Sequence, residues 1–261
     1  FGFELTSEDL ICHPTAASLS EALPFLRGQI TGEDGERVLP EQRSDLSIVP
    51  LVEDGSLPPL FICPGGQGSE NELLVYARVL VQAEVDRPVF GLRFSAFERE
   101  LPIMNSLGEL AGAMVKELVE AGLPEGWVFV GECGSGALSL EIVRQLSSLE
   151  PSSAPSRLLL LDARSTDFME AHGLFNEDRL QVWEGPRMKH YFRLLRSWKS
   201  RKVDVPIDLI VNRELAEASD DPTLGWQAFS RRKIAVHVTD GDHMSYIREN
   251  AASSAQKIRE I

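Results

Sequence analysis

From Pro58 onward, short runs of apolar residues alternate with longer amphipathic stretches whose apolar positions return at helical spacing. A short run of branched or aromatic residues bounded by Gly, Pro or polar turns fits a strand buried on both faces. A 3.6-residue period fits a helix with one buried stripe. On these rules strands are predicted at Leu60–Cys63, Val89–Leu92, Val128–Val130, Leu158–Leu161, Ile207–Val211 and Ile234–Val238. Helices are predicted at 70–81, 107–120, 136–149 and 245–260. Such alternation implies an α/β protein: a mostly parallel sheet with helices on both faces and ligand sites at the carboxyl ends of its strands. One segment breaks the rhythm. Residues 163–204 are too long for a simple crossover and set Phe168, Phe175, Trp183, Tyr191, Phe192 and Trp198 among charged residues. That pattern fits a helical lid over an apolar channel, or ordinary amphipathic surface helices.

Upstream the pattern changes. In residues 1–25, Thr6 or Ser7 can cap a turn at Glu8–Leu10, and Thr15 precedes the helical run Ala16–Leu23. Alone this unit is too short to make a core. Residues 26–45, rich in Gly, Glu, Asp and Ser, read as a linker, and the polar character continues to residue 57 apart from Ser47–Val52, which offers an edge strand. With 261 residues, 43% of them apolar, the chain suffices for one large α/β domain plus an appendage. A net charge of -14 leaves no basic stripe for nucleic acid and no polybasic anchor for a membrane surface. The sequence shows neither a leader pattern nor a membrane-length apolar run, so a soluble cytoplasmic protein is expected. Cys12, Cys63 and Cys133 lack metal-site spacing and disulfide-scaffold density, and free thiols are expected.

The richest stretch is GWVFVGECGSGALSLE, residues 126–141, where a β-rich run ends in a Gly-flanked turn that sets Cys133 just before a helix. In the G-x-S-x-G nucleophile elbow, small residues flank the nucleophile because the turn holds it at strained backbone angles. Here Gly131 and Ser135 flank Cys133; cysteine stands for serine, and Ser135 for the second glycine, with Gly136 following. A nucleophile on such an elbow needs an orienting acid and a base, in the chain order nucleophile, acid, His. Asp162 ends the run RLLLLD, and His243 sits in TDGDHMSY just after the last predicted strand. His13, His172, His190 and His237 lack that placement, while Asp167 and Asp242 stand as alternative orienting acids and Ser135 as an alternative nucleophile. A buried, inert Cys133 is the plain alternative. An oxyanion hole is expected from the N–H of Gly134 and one from the loop CPGGQGS, with Gly65 first and Gly66 next. That glycine run lacks G-K-[ST] and does not read as a phosphate loop.

Several segments together resemble type I thioesterases, the terminal release domains of nonribosomal peptide synthetases. They are Pro59-Leu60-Phe61 leading to Cys63-Pro64-Gly65-Gly66, then Arg87-Pro88-Val89-Phe90-Gly91-Leu92, and the elbow with Glu141 and Arg144-Gln145-Leu146. Leu161-Asp162, Asp221-Pro222-Thr223-Leu224-Gly225-Trp226 and Gly241-Asp242-His243 follow. The resemblance runs from about Leu46 to the end. It implies the α/β-hydrolase fold with a helical lid at about 163–204, and a triad of Cys133, Asp162 and His243. Substrate contacts are implied for Gly66, Phe168, Trp183 and Tyr191. No cofactor would be bound by the domain itself, because the peptidyl thioester arrives on the phosphopantetheine of an upstream carrier-protein domain. Residues 1–25, with Phe1-Gly2, Glu4-Leu5 and His13-Pro14-Thr15, resemble the last two helices of such a carrier, whose modified serine would lie upstream of Phe1.

This sequence departs from that pattern in the cysteine, in Ser135, and in Glu132, which stands where an aromatic residue or histidine is usual. A carboxylate beside a thiol disfavours thiolate unless it points away. A thiol nevertheless makes acyl exchange nearly isoenergetic, and an acyl-thioester stays more electrophilic than an oxoester, which favours closure of a lactone, lactam or macrocycle. The plain alternative is an engineered replacement for serine, made to trap an acyl-enzyme. Two other classes fit the same residues: a non-catalytic carrier-docking domain, and an editing or ester-cleaving hydrolase of the same fold.

Overall fold

The computed structural model describes residues 46–65, 73, 75–76, 79–80, 83–94, 104–149, 151–175 and 186–261. The carrier-like unit 1–25, the linker 26–45, Cys12, Gly66 and Trp183 lie outside the described residues. Seven strands form one sheet: β1 (Leu46–Val52), β2 (Leu60–Cys63), β3 (Val89–Phe94), β4 (Val128–Glu132), β5 (Arg157–Leu161), β6 (Ile207–Asn212) and β7 (Ala235–Thr239). Their order is β1-β3-β2-β4-β5-β6-β7. All pairings are parallel except β1 with β3, so the stretch expected as an edge strand does form the antiparallel edge.

The central strands are largely apolar because both faces are covered. Along β4 and the residue before it, Trp127 and Phe129 join one cluster with helices α1 (Leu107–Ala121) and α2 (Gly136–Leu149), while Val128 and Val130 join a second with Tyr246 and Ile258. The period-2 alternation of a strand divides one sequence between two cores. Helix α1 starts where the Ser106 hydroxyl accepts the Glu109 N–H, and Gln145 of α2 donates to the Gly108 carbonyl, tying the two helices together. Residues 73, 75–76, 79–80 and 83 are helical and bury Leu73, Tyr76, Val79 and Leu80 on the other face.

Beyond extensions of one or two residues at other element ends, three details differ from the sequence reading. The last strand sits one residue later than expected, at Ala235–Thr239. The final helix, α6 (Ala251–Glu260), starts six residues later than the predicted 245 (251 − 245 = 6). The Asp242 carboxylate accepts the N–H groups of Met244 and Ser245, holding residues 243–250 in turns before the helix begins. Helix α5 (Arg213–Ala218) was not anticipated; the Asn212 side chain caps it by accepting the Leu215 N–H. In the segment read as a lid, α3 (Thr166–Ala171) and α4 (Pro186–Ser197) are helical.

Candidate active site

The sheet order reverses at β2, whose neighbours β3 and β4 are reached by connections in opposite directions. A crevice forms beyond the carboxyl ends at such a switch point. Two polypeptide turns meet there: Pro64-Gly65 after β2 and Cys133-Gly134-Ser135 after β4. Cys133 has φ 43, a left-handed conformation that a side chain rarely adopts. The turn is held on both sides. Ser135, buried, donates through its hydroxyl to the Cys63 carbonyl at 2.7 Å and accepts the Glu132 N–H at 2.8 Å. Its role here is to brace the elbow, which explains how serine takes the place of the second glycine. Gly131 faces α2 so closely that a Cβ would lie 2.4 Å from Ser139 Oγ.

The acid comes from the next strand. Asp162, fully buried with φ 47, follows β5, and its carboxylate is held by Asn212 at the end of β6. The Asn212 backbone N–H donates to Oδ1 at 3.1 Å, and Nδ2 lies 2.8 Å from each carboxylate oxygen. Behind this segment the buried Trp226 donates its indole N–H to the Ala163 carbonyl at 2.8 Å. The loop carrying Trp226 is folded by Asp221, whose carboxylate accepts N–H groups of Thr223 and Gly225.

His243 completes the arrangement from the loop after β7. Its Nδ1 is 2.5 Å from Asp162 Oδ2, and its Nε2 is 3.4 Å from Cys133 Sγ. Of the candidate acids, Asp162 is the one on the imidazole. Asp167 instead forms an exposed ion pair with Lys199, and Asp242 is occupied with its own loop. Residues 131–136, 162 and 243, far apart in sequence, thus meet beyond the carboxyl ends of the central strands.

The charges differ from those of a free cysteine and histidine. Burial and the Glu132 carboxylate push the Cys133 thiol up, against a downward pull from His243. The hydrogen bond to Asp162, followed by that to Cys133, raises His243 to about 10. Burial pushes Asp162 up, but its hydrogen bonds with His243 and Asn212 outweigh this and hold it below the usual carboxylate value. Burial and Glu132 thus disfavour the thiolate, while the Asp162 carboxylate makes the imidazole a strong proton acceptor. A thiolate, once formed, faces an imidazolium N–H.

Glu132 does not point to solvent. Alternation along β4 sends its side chain to the Tyr246 face, where it is buried; Oε1 accepts the Tyr246 hydroxyl at 2.9 Å and Oε2 accepts the Gly65 N–H at 3.1 Å. Gly65 leaves no room for a side chain, since a Cβ would come within 1.7 Å of the Glu132 carbonyl oxygen. Gly134, the other expected oxyanion donor, follows Cys133 directly, and its carbonyl accepts the Tyr191 hydroxyl from α4 at 2.9 Å. Of the residues expected to contact substrate, Tyr191 thus reaches the elbow, whereas Phe168 is packed in the core, its ring stacked on His172. A second tie fixes α4's end to α2: the Trp198 indole donates to Glu141 at 3.2 Å. Sequence reasoning missed Asn212 and Tyr246. The signal for Asn212 was a polar residue closing the apolar run IDLIVN at a strand's carboxyl end; nothing local marks Tyr246.

Solved structures share this architecture. The NocB thioesterase domain from the nocardicin cluster superposes with a TM-score of 0.61 at 18% identity, covering 79% of this chain and 94% of that one. The Vlm2 thioesterase domain gives 0.56 at 16% identity, covering 82% and 97%. The four-domain nonribosomal peptide synthetase AB3403 gives 0.64 at 18% identity, covering all of this chain and 22% of its own length. The fold is an α/β hydrolase. The sequence itself matches no family model and no curated protein. In this fold Cys133 follows β4, Asp162 follows β5 and His243 lies in the loop after β7. Among the described residues there is no helix long and apolar enough to cross a membrane and no cluster of His, Cys, Asp or Glu suited to a metal ion.

Proposed function

We propose that this chain is a terminal thioesterase that takes a peptidyl, or mixed peptide/polyketide, chain from the phosphopantetheine thioester of an upstream carrier-protein domain onto Cys133. It then releases the chain by cyclisation, to a strained lactone or lactam or a macrocycle, or by hydrolysis. The observation that carries this reading is the Cys133 thiol on a strained elbow, 3.4 Å from a His243 that is itself bound to buried Asp162. Two neighbours of the same fold support the substrate class: NocB forms a covalent complex with a fluorophosphonate nocardicin G analog, and a Vlm2 domain carrying 2,3-diaminopropionic acid binds a dodecadepsipeptide. In this reading residues 1–25 are the tail of the carrier, 26–45 the linker, and 163–204 the lid whose Tyr191 lies over the elbow.

The chemistry follows from the proton positions. Cys133 passes its proton to His243 Nε2 and attacks as thiolate beside the imidazolium that forms; its S–C bond forms while the phosphopantetheine C–S bond breaks. The imidazolium gives its Nε2 proton to the departing thiolate. Now neutral, His243 takes a proton from the acceptor, an internal hydroxyl or amine or a water, as that group attacks the acyl-thioester and Cys133 leaves.

The test is to incubate the chain with a peptidyl-loaded carrier and weigh both protein and product. An acyl adduct on Cys133, lost in C133A, is expected, with C133S shifting the ring-to-acid ratio toward acid. Carrier binding without any adduct would instead mark a docking domain. Faster turnover of free esters than of carrier thioesters would mark an ester hydrolase, and an unchanged ratio in C133S would refute the thioester argument.

A further inference from the structure

The Gly65 N–H is expected to serve an oxyanion, yet it already has an anionic partner. Glu132 Oε2 accepts it at 3.1 Å inside the protein, and the same carboxylate accepts the Tyr246 hydroxyl at 2.9 Å, which steadies it in that position. Tyr246 is fully buried and lies three residues beyond His243 (246 − 243 = 3), so the carboxylate bridges the loop after β2 and the loop that carries the imidazole. One N–H cannot serve two anions at full strength.

We propose that Glu132 competes with the reacting acyl group for the Gly65 donor and thereby slows acyl transfer at Cys133, making it a rate-setting residue that acts through Gly65. This rests on the reading of Cys133 as nucleophile and Gly65 as oxyanion donor. The tetrahedral intermediate carries its charge on the former carbonyl oxygen, so a buried carboxylate nearby both withholds a donor and repels the charge that develops. Both steps of the reaction pass through such an oxyanion, so the restraint falls on acylation and release alike. The ionisable groups facing the thiol are His243 with Asp162 behind it, Glu132, Tyr246, and Tyr191 from α4. Those facing Glu132 are Tyr246, with Tyr76 beyond it, and the thiol itself. Among them Glu132 is the group that touches the Gly65 N–H.

Two reactions of Cys133 separate the effects. Alkylation by iodoacetamide needs thiolate but no oxyanion donor. Acylation by an octanoyl N-acetylcysteamine thioester needs both: the Sγ–C bond forms, the probe's C–S bond breaks, and its thiol leaves with the proton. In E132Q the alkylation midpoint should fall to lower pH. Above the midpoints of both proteins, alkylation rates should match while acylation of E132Q runs at least about tenfold faster, part of the 10²–10³ that one oxyanion donor contributes. Equal or slower acylation of E132Q at that pH would overturn the proposal. Should E132Q not fold, E132D decides: one methylene shorter, it keeps the charge but draws back from Gly65, and acylation no faster than the parent's overturns the proposal as well. If the parent protein shows no adduct on Cys133 with either reagent, the nucleophile reading itself has failed, a result distinct from an E132Q effect that is absent.

Discussion

Replacing Asn212 with alanine should unfasten the acid of the site, and the size of the effect follows from its contacts. Asn212 and Asp162 are both buried, so solvent does not soften the loss. The substitution removes the amide that lies 2.8 Å from each Asp162 oxygen and the side-chain oxygen that caps α5 at 2.9 Å. A hydrogen bond to a charged group is worth about 1.5–3 kcal/mol, and a helix cap about 1 kcal/mol. The backbone N–H of Asn212 and the imidazole of His243 remain on the carboxylate. The sum is about 2.5–4 kcal/mol, or roughly 5–15 °C in Tm for a chain of this size. The pH dependence has a definite sign. Asp162 sits below its usual value in the folded state, so its contribution is present at neutral pH and fades as pH falls through the folded value. Thermal unfolding followed by circular dichroism should therefore show the gap between parent and N212A narrowing in acid. Acylation of Cys133 should also slow, because His243 loses a firm anchor. A drop in Tm of less than about 2 °C at neutral pH, or a gap that widens in acid, would refute this account.

Two further outcomes can be measured directly. Alkylation of Cys133 should have a pH midpoint above the ordinary thiol value of about 8.5, because burial and Glu132 raise it; H243A, which removes the downward pull of the imidazole, should move it higher still, and a midpoint below neutrality in the parent would contradict the assignment. Gly131→Ala should destabilise by about 1–3 kcal/mol, the usual cost of overpacking, because its Cβ would press on both Oγ and Cβ of Ser139, at 2.4 and 2.7 Å, and force α2 away from β4; an unchanged Tm would mean that the close approach is not rigid.

The sequence alone set out the order of strands and helices, because strand-length apolar runs and helical periodicity are local signals that survive without any tertiary contact. It also marked Cys133, since a tight turn between a strand and a helix accounts for the small residues Gly131, Gly134 and Ser135 around it. The turn at 245–250 and helix α5 escaped notice because both depend on single side chains, Asp242 and Asn212, bonding to backbone groups nearby. What only the folded chain decided is which groups meet. Alternation along β4 placed Glu132 on one face, but its partners Gly65 and Tyr246 lie 67 and 114 residues away, beyond the reach of any local pattern. Spacing along the chain identifies a turn that can carry a nucleophile; the packing of distant loops determines which charges surround it.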